Sequence, residues 1–205
     1  MTSFDCEAVI FDFDGTLVLS NDLKREAMIT AAESIGINKA AAESLLDSFI
    51  GDRYGWAEYL CGLSSKSMSP NRMKLMVSKI INHAVFRAPL RPGALEYLHF
   101  LRDNRIAAFV SSATPSIDLE PVVKSFFSED FFNGVFGGGN KTEVLHRIHA
   151  EFGISKSNSL VIGDGVDDFE SAHSFGCRFY GLDGGTLVQS CYRGCIYKNF
   201  NELML

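Results

Sequence analysis

Short apolar runs alternate along the chain with segments in which apolar residues recur at every third or fourth position. Four runs rich in β-branched and aromatic residues end at acidic, serine or glycine positions and predict buried strands: 8–11, 106–110, 159–162 and 177–180. The intervening segments, such as 94–101 and 144–152, have amphipathic helical spacing. Strands that alternate with helices predict a three-layer α/β core with a parallel sheet. Ligands bind such sheets at the carboxyl ends of the strands.

The segment 18–89 departs from this alternation. Four amphipathic stretches within it predict helices, at 22–35, 39–50, 52–61 and 70–86, and none has the pattern of a strand. We therefore predict a catalytic core formed by 1–17 and 90–205, with an inserted α-helical cap domain at 18–89. The prolines and glycine of the stretch 88–93 suit a hinge between them. We expect the cap to lie over the strand ends.

Composition narrows the range of functions. The 205 residues are 46% hydrophobic and 21% charged, which is typical of a soluble globular protein. The formal net charge is −6 and no Lys/Arg-rich run occurs, so no nucleic-acid partner is expected. No apolar stretch is long enough to span a membrane and the N-terminus does not resemble a signal peptide, so we expect a cytoplasmic protein without a membrane partner. The five scattered cysteines suit reduced thiols.

Two carboxylates follow the first predicted strand directly, in Asp12-Phe13-Asp14-Gly15-Thr16. Alternate residues of an extended chain point the same way, so Asp12 and Asp14 can share one small site. Crowded carboxylates repel each other unless a cation or a shared proton relieves them, and Mg²⁺ prefers oxygen ligands. One aspartate can then attack phosphorus while the other transfers protons. A helix cap or an Asx turn is the alternative reading for an isolated Asp-Gly pair.

This motif resembles that of the haloacid dehalogenase superfamily, whose phosphatases carry Asp-x-Asp-Gly-Thr at this point. Three further motifs recur in the family's order over nearly the whole core. They are Ser111 after the second predicted strand, Lys141 at the start of a predicted helix, and Gly163-Asp164-Gly165-Val166-Asp167-Asp168. The resemblance, which extends to the phosphoglycolate phosphatases and β-phosphoglucomutase-like hydrolases, implies a Rossmann-like core with a helical cap.

The resemblance also implies catalytic roles. Asp12 would be the nucleophile, and Asp14 would protonate the leaving oxygen and then activate water. Ser111 and Lys141 would hold the phosphoryl oxygens. Each of these residues alone is weak evidence, because a serine after a strand is often a helix cap and a lysine is usually solvated. Together they provide what phosphoryl transfer requires.

The metal implied by the resemblance is Mg²⁺. Its ligands would be Asp12, the backbone carbonyl of Asp14, and Asp164. Asp168 would support the metal or its waters. Spacing favours Asp168 for this second acidic contact, although the neighbouring Asp167 is the alternative.

Three further residues are predicted to bind substrate. Thr16 and Ser112 lie beside the motifs. Arg53, in the predicted cap, is a candidate for binding a second anionic group of the substrate. The alternative for Arg53 is a surface arginine whose stem covers Trp56.

We therefore predict a magnesium-dependent phosphatase that hydrolyses a small soluble phosphomonoester through an aspartyl-phosphate intermediate. Asp14 favours phosphate chemistry, because dehalogenating relatives lack this second aspartate. The lysine context Gly139-Asn140-Lys141-Thr142-Glu143 differs from the Pro-x-Pro that follows the lysine in many mutases and phosphoglycolate phosphatases. A sugar-phosphate phosphomutase and a catalytically idle phosphate-binding protein are the alternatives. The partner is expected to be a small phosphorylated metabolite, and the protein a monomer or homodimer.

Overall fold

The computed structural model describes residues 6–64, 68–190 and 192–203. Its central element is a six-stranded sheet in the order β3-β2-β1-β4-β5-β6, with every neighbouring pair parallel. The strands are β1 Ala8–Phe11, β2 Ala107–Ser112, β3 Gly134–Gly137, β4 Ser159–Gly163, β5 Arg178–Leu182 and β6 Ile196–Tyr197. This confirms the predicted α/β class and its parallel sheet.

Helices account for most of the remaining described residues. They are α1 Asn21–Glu33, α2 Lys39–Ser48, α3 Arg53–Leu63, α4 Pro70–Val85, α5 Ala94–Asp103, α6 Ser116–Phe126, α7 Lys141–Phe152 and α8 Val166–Phe175. The first four coincide with the amphipathic stretches of the segment 18–89, and the last four alternate with the strands.

Alternate side chains of β1 enter two different cores, which explains why this strand is apolar at every position. Ile10 packs in a cluster that includes Leu145 of α7 and Phe175 of α8. Phe11 contacts Tyr97 of α5, with ring centroids 6.1 Å apart. The sheet is therefore covered by helices on both faces, as the three-layer prediction requires.

The apolar pattern does not predict the two edge strands, β3 and β6. β3 has only four residues, begins and ends with glycine, and is half-buried throughout. β6 has only two residues. Neither is long enough to show a period of two, and their pairing comes from β2 and β5, which are distant in sequence.

The chain divides into two compact units, Met1–Leu19 with Pro89–Leu205, and Ser20–Ala88. In the second unit, α1 packs against α2, α3 and α4, and α3 packs against α4. The fully buried Trp56 of α3 donates a hydrogen bond from its indole nitrogen to the Met28 carbonyl of α1 at 3.0 Å. The side chains of Asn38, Asp52 and Ser69 accept hydrogen bonds from backbone amides at the starts of α2, α3 and α4. Such caps satisfy amides that have no partner within the helix.

The two connections between the units are paired with each other. The Leu19 amide donates to the Pro89 carbonyl and the Arg91 amide to the Leu17 carbonyl, both at 2.9 Å. Val18 and Leu90 form an antiparallel bridge between these bonds. The chain therefore leaves and re-enters the α/β unit at one place.

Arg91, which directly follows this bridge, is a buried arginine that joins three segments of the α/β unit. Its guanidinium donates to the backbone carbonyls of Thr16 at 2.9 Å, Lys198 at 2.7 Å and Asp183 at 2.7 Å, and also to that of Gly15. The planar guanidinium provides five donors in a fixed geometry, which suits several carbonyls at once. Arg91 thus anchors the turn that contains the first acidic motif.

No helix among the described residues has the length and apolar character needed to cross a membrane. Among the described residues, Cys6, Cys61, Cys177 and Cys195 form no disulfide, and Cys191 lies outside the described residues.

Replacing Arg91 should destabilise the α/β unit. In Arg91→Met the carbonyls lose charge-assisted donors, and we expect the free energy of unfolding to fall by about 2–4 kcal/mol. Urea unfolding followed by circular dichroism measures this loss. Arg193→Met is the control, because Arg193 is exposed and its guanidinium donates a hydrogen bond to the neighbouring Tyr192 carbonyl. Equal stability of the two variants would contradict the anchoring role.

Candidate active site

The candidate site begins where β1 ends. The Asp12 amide continues the strand pairing by donating to the Ile162 carbonyl of β4 at 2.9 Å. Gly15 then turns the chain with a φ of 83°, a conformation that favours glycine. The Asp12 side chain is left buried at the carboxyl end of the sheet.

Three carboxylates meet at this edge. Asp12, Asp164 and Asp168 are all buried, and one carboxylate oxygen of each lies within 4.8 Å of the others. Asp164 follows β4, and Asp168 lies in the first turn of α8, where its Oδ2 accepts a hydrogen bond from the Gly165 amide at 3.1 Å. A set of three oxygen ligands is the donor type that hard divalent cations prefer. The triad therefore fits a metal ion.

Two glycines leave room for these carboxylates. A Cβ at Gly163 would lie 2.3 Å from the carboxyl carbon of Asp168, and a Cβ at Gly185 would lie 2.3 Å from the backbone oxygen of Asp164. The same Asp164 oxygen accepts a hydrogen bond from the Leu187 amide at 3.0 Å, so that backbone is fixed. The absence of a side chain at Gly185 is thus a condition for the observed position of Asp164.

Lys141 provides the positive charge beside the triad. Its Nζ lies 2.9 Å from Asp12 Oδ1, 2.6 Å from Asp168 Oδ1 and 3.0 Å from Asp167 Oδ2. Lys141 is the first residue of α7, whose start is capped by the Asn140 side chain. The structure thus brings Lys141 together with Asp12 and Asp168, and it leaves the Asp167 side chain 61% exposed at the rim.

Burial and charge perturb the pKa values of these groups. Burial raises the pKa of Asp12, Lys141 opposes this shift, and Asp14 adds to it. Burial likewise raises the pKa of Asp168, and Asp12 adds to it. Burial alone would lower the pKa of Lys141, but the charges of its three carboxylate neighbours outweigh burial and raise it. The single ammonium does not balance the crowded carboxylates, so binding of a cation would be favourable.

The Asp14 side chain has a different partner. Its Oδ2 accepts a hydrogen bond from the Thr114 hydroxyl at 3.0 Å, and Thr114 is buried in the loop after β2. The side chain is not part of the triad, so a metal contact of Asp14 through its backbone carbonyl stays a prediction. Sequence reasoning missed Thr114, because nothing in the pattern of that loop distinguishes it from an ordinary turn residue.

Hydroxyl groups line the end of β2 and the first acidic turn. Ser111 is buried, and its Oγ has no hydrogen-bond partner among the described residues. Buried hydroxyls are normally paired, so Ser111 has an unused donor at this edge. Ser112 Oγ accepts from the Thr114 amide at 3.1 Å, and the fully buried Thr16 donates to Asp164 Oδ1 at 3.4 Å.

Arg53 lies in the helical unit, at the first residue of α3. It is buried, so the alternative of a solvated surface arginine is wrong. Its Nη1 donates to Asn82 Oδ1 of α4 at 2.5 Å.

A family model of haloacid dehalogenase-like hydrolases matches residues 9–182. The chain is 26% identical to a phosphoglycolate phosphatase of Mannheimia succiniciproducens, over 95% of each protein. It is 28% identical to a phosphorylated carbohydrates phosphatase of Thermotoga maritima, over 90% of this chain and 91% of that protein. Among solved structures, CbbY from Rhodobacter sphaeroides in complex with phosphate has a TM-score of 0.78 at 16% identity, covering 97% of this chain and 96% of that one. At that identity the structural likeness shows a shared fold and nothing more.

Adding a methyl group at Gly185 should disturb the acidic triad. In Gly185→Ala the new Cβ displaces the fixed backbone of Asp164, and we expect affinity for a divalent cation to fall by about tenfold to a hundredfold. Calorimetric titration with Mg²⁺ or Mn²⁺ measures this change. Gly62→Ala is the matched control, since a Cβ there meets nothing within 4 Å. Unchanged metal affinity in Gly185→Ala would show that the triad is not the metal site.

Proposed function

We infer that this chain, which belongs to the haloacid dehalogenase-like hydrolases and is a phosphatase of that family, removes the phosphoryl group of a small metabolite by transferring it first to Asp12. The observation that carries the proposal is the buried triad of Asp12, Asp164 and Asp168, two of whose members, Asp12 and Asp168, contact Lys141. It supports the proposal because these residues would supply a nucleophile, the ligands of a metal ion and a positive charge at one edge of the sheet.

In the first step a carboxylate oxygen of Asp12 attacks phosphorus, and the bond from phosphorus to the leaving oxygen breaks. Asp14 donates a proton to that oxygen, so the product leaves as a neutral alcohol. In the second step Asp14 removes a proton from water, the water oxygen attacks phosphorus, and Asp12 is released. The hydrogen bond from Thr114 supports this role, because it fixes the orientation of the Asp14 carboxylate.

Ser111 and Lys141 are proposed to hold the phosphoryl oxygens. The unused hydroxyl of buried Ser111 is a donor available to a ligand, and Lys141 offsets negative charge on both phosphate and nucleophile. Ser112 and Thr16 stay predicted substrate contacts. The hydrogen bond of Thr16 to Asp164 supports an additional role in orienting that carboxylate.

Mg²⁺ is the cation that we propose for the triad. Asp12 and Asp164 would hold it together with the Asp14 backbone carbonyl, and Asp168 would support the metal or its waters. When bound, it would neutralise charge on the phosphoryl group and align it with the nucleophile. The all-oxygen donor set supports this choice, since Mg²⁺ prefers carboxylates and waters.

We also propose that residues 18–89 act as a cap that recognises the rest of the substrate, with Arg53 as one contact.

The proposed substrate class, a small phosphorylated metabolite, rests on the relatives, which are named for phosphoglycolate and for phosphorylated carbohydrates. The free thiols at the described cysteines support a cytoplasmic location.

A panel of phosphorylated metabolites assayed with Mg²⁺ tests the proposed activity. A phosphatase releases inorganic phosphate, whereas a phosphomutase converts a sugar phosphate to its isomer, and phosphorus NMR distinguishes these products. Absence of turnover on the whole panel would favour a phosphate-binding protein.

Replacing the nucleophile should abolish turnover and preserve the fold. Asp12→Asn retains the shape of the side chain, but its amide cannot accept a phosphoryl group, so we expect activity to fall by at least about a thousandfold. Acid-quenched wild-type enzyme should contain a phosphorylated peptide that includes Asp12, and the variant should not. Asp103→Asn, at a 70% exposed side chain, is the control. Activity of Asp12→Asn within tenfold of wild type would exclude Asp12 as the nucleophile.

Activity should depend on a divalent metal. We expect chelation to abolish turnover, Mg²⁺ to restore it, and Ca²⁺ to inhibit it. Ca²⁺ takes more ligands at longer distances, so it can occupy the carboxylates while misaligning nucleophile and phosphate. Initial rates across a titration of each metal measure this behaviour. Full activity in excess chelator would contradict the mechanism.

A further inference from the structure

The ammonium group of Lys141 lies among three carboxylates and donates hydrogen bonds to two of them, those of Asp12 and Asp168. An ammonium has three N–H donors and no acceptor. The Lys141 Nζ lies within 3.0 Å of three carboxylates, those of Asp12, Asp167 and Asp168. A phosphoryl oxygen that approaches the remaining N–H of Lys141 would therefore compete with the neighbouring carboxylates.

The three carboxylates differ in how readily they can be displaced. The side chains of Asp12 and Asp168 are only 7% and 2% exposed, so losing their contact with Lys141 would leave a buried charge with less compensation. The Asp167 side chain is 61% exposed, and water can solvate it once it leaves. Exposed ion pairs contribute little free energy, so this contact is the easiest to break.

We propose that the phosphoryl group takes the place of the Asp167 carboxylate beside Lys141, and that substrate and product phosphate compete with that carboxylate for the ion pair with the lysine. Asp167 is thus a positioning residue that acts through Lys141. Its carboxylate holds the lysine in place before substrate binds. By competing with phosphate, it also lowers the affinity of the site for the product phosphate, which favours product release. This inference rests on the proposed function, because it requires Lys141 to bind phosphate.

Calorimetric titration of the full chain with inorganic phosphate, at saturating Mg²⁺, tests the competition. Asp167→Asn keeps the shape of the side chain but removes the competing charge. We expect its Kd for phosphate to be about two- to fivefold lower than that of wild type, the size of an exposed ion pair. KM for substrate should fall in parallel, with kcat unchanged or lower. The Kd of Asp167→Glu for phosphate should be close to that of wild type, because the carboxylate of the glutamate can still reach the lysine.

Glu143→Gln is the matched control for charge alone. Glu143 is an exposed residue in the first turn of the same helix as Lys141, so this variant removes one negative charge near the lysine without removing an ion pair to it. Its Kd for phosphate should stay within about 1.5-fold of wild type. Because Asp167 is exposed, its variants should fold, and thermal unfolding checks this.

Each outcome decides the inference. An unchanged or weaker affinity of Asp167→Asn for phosphate, with normal wild-type turnover, would overturn the competition and leave the proposed function intact. Equal gains in Asp167→Asn and Glu143→Gln would replace it with a general charge effect. Weaker binding of both Mg²⁺ and phosphate in Asp167→Asn would assign Asp167 to the metal instead. A wild-type protein that neither binds phosphate nor hydrolyses any ester would overturn the proposed function and this inference together.

Discussion

The buried negative charge at the carboxyl end of the sheet is the constraint on which the rest of the site depends. Asp12, Asp164 and Asp168 converge from two strand ends and one helix start, where burial makes each charge costly. Lys141 offsets part of this charge, and a metal ion would offset more. The same arrangement that disfavours the free site therefore gives it affinity for a cation and for the phosphoryl group that accompanies one.

The backbone that carries these carboxylates is restricted by two residues, Arg91 and Gly185. The first acidic turn is held by Arg91, which bonds the carbonyls of Gly15 and Thr16 together with two carbonyls from distant segments. Gly185 lets the chain pass close to Asp164. Both residues restrict where the carboxylates can lie. Catalytic groups held in this way need little reorganisation during reaction.

Much of this architecture could be predicted from the sequence because it is encoded locally. Apolar runs predict β1, β2, β4 and β5, and parallel pairing brings the residues after them to one edge. Asp12 directly follows one predicted strand and Asp164 comes two residues after another, so both were expected at that edge. The family resemblance added roles for Ser111 and Lys141. Roles of residues such as Ser112 and Arg53 depend on substrate contacts, which local patterns do not encode.

The features that escaped prediction depend on contacts between distant residues. The hydrogen bond from Thr114 to Asp14 spans 100 positions, and the bond from Arg91 to Lys198 spans 107. A periodic pattern carries no information about such pairs. β3 and β6 were not predicted for a related reason. Their short sequences are extended because a neighbouring strand pairs with each of them.

The bridge between Val18 and Leu90 has a consequence for evolution. Bridged antiparallel residues lie only about 5 Å apart, so the whole helical unit is attached to the sheet through two adjacent points of the backbone. A segment of any length or architecture whose ends meet at that spacing could replace it without altering strand order or register. If the helical unit recognises the substrate as proposed, substrate preference can diversify by exchange of this one unit, while the residues at the edge of the sheet are inherited unchanged.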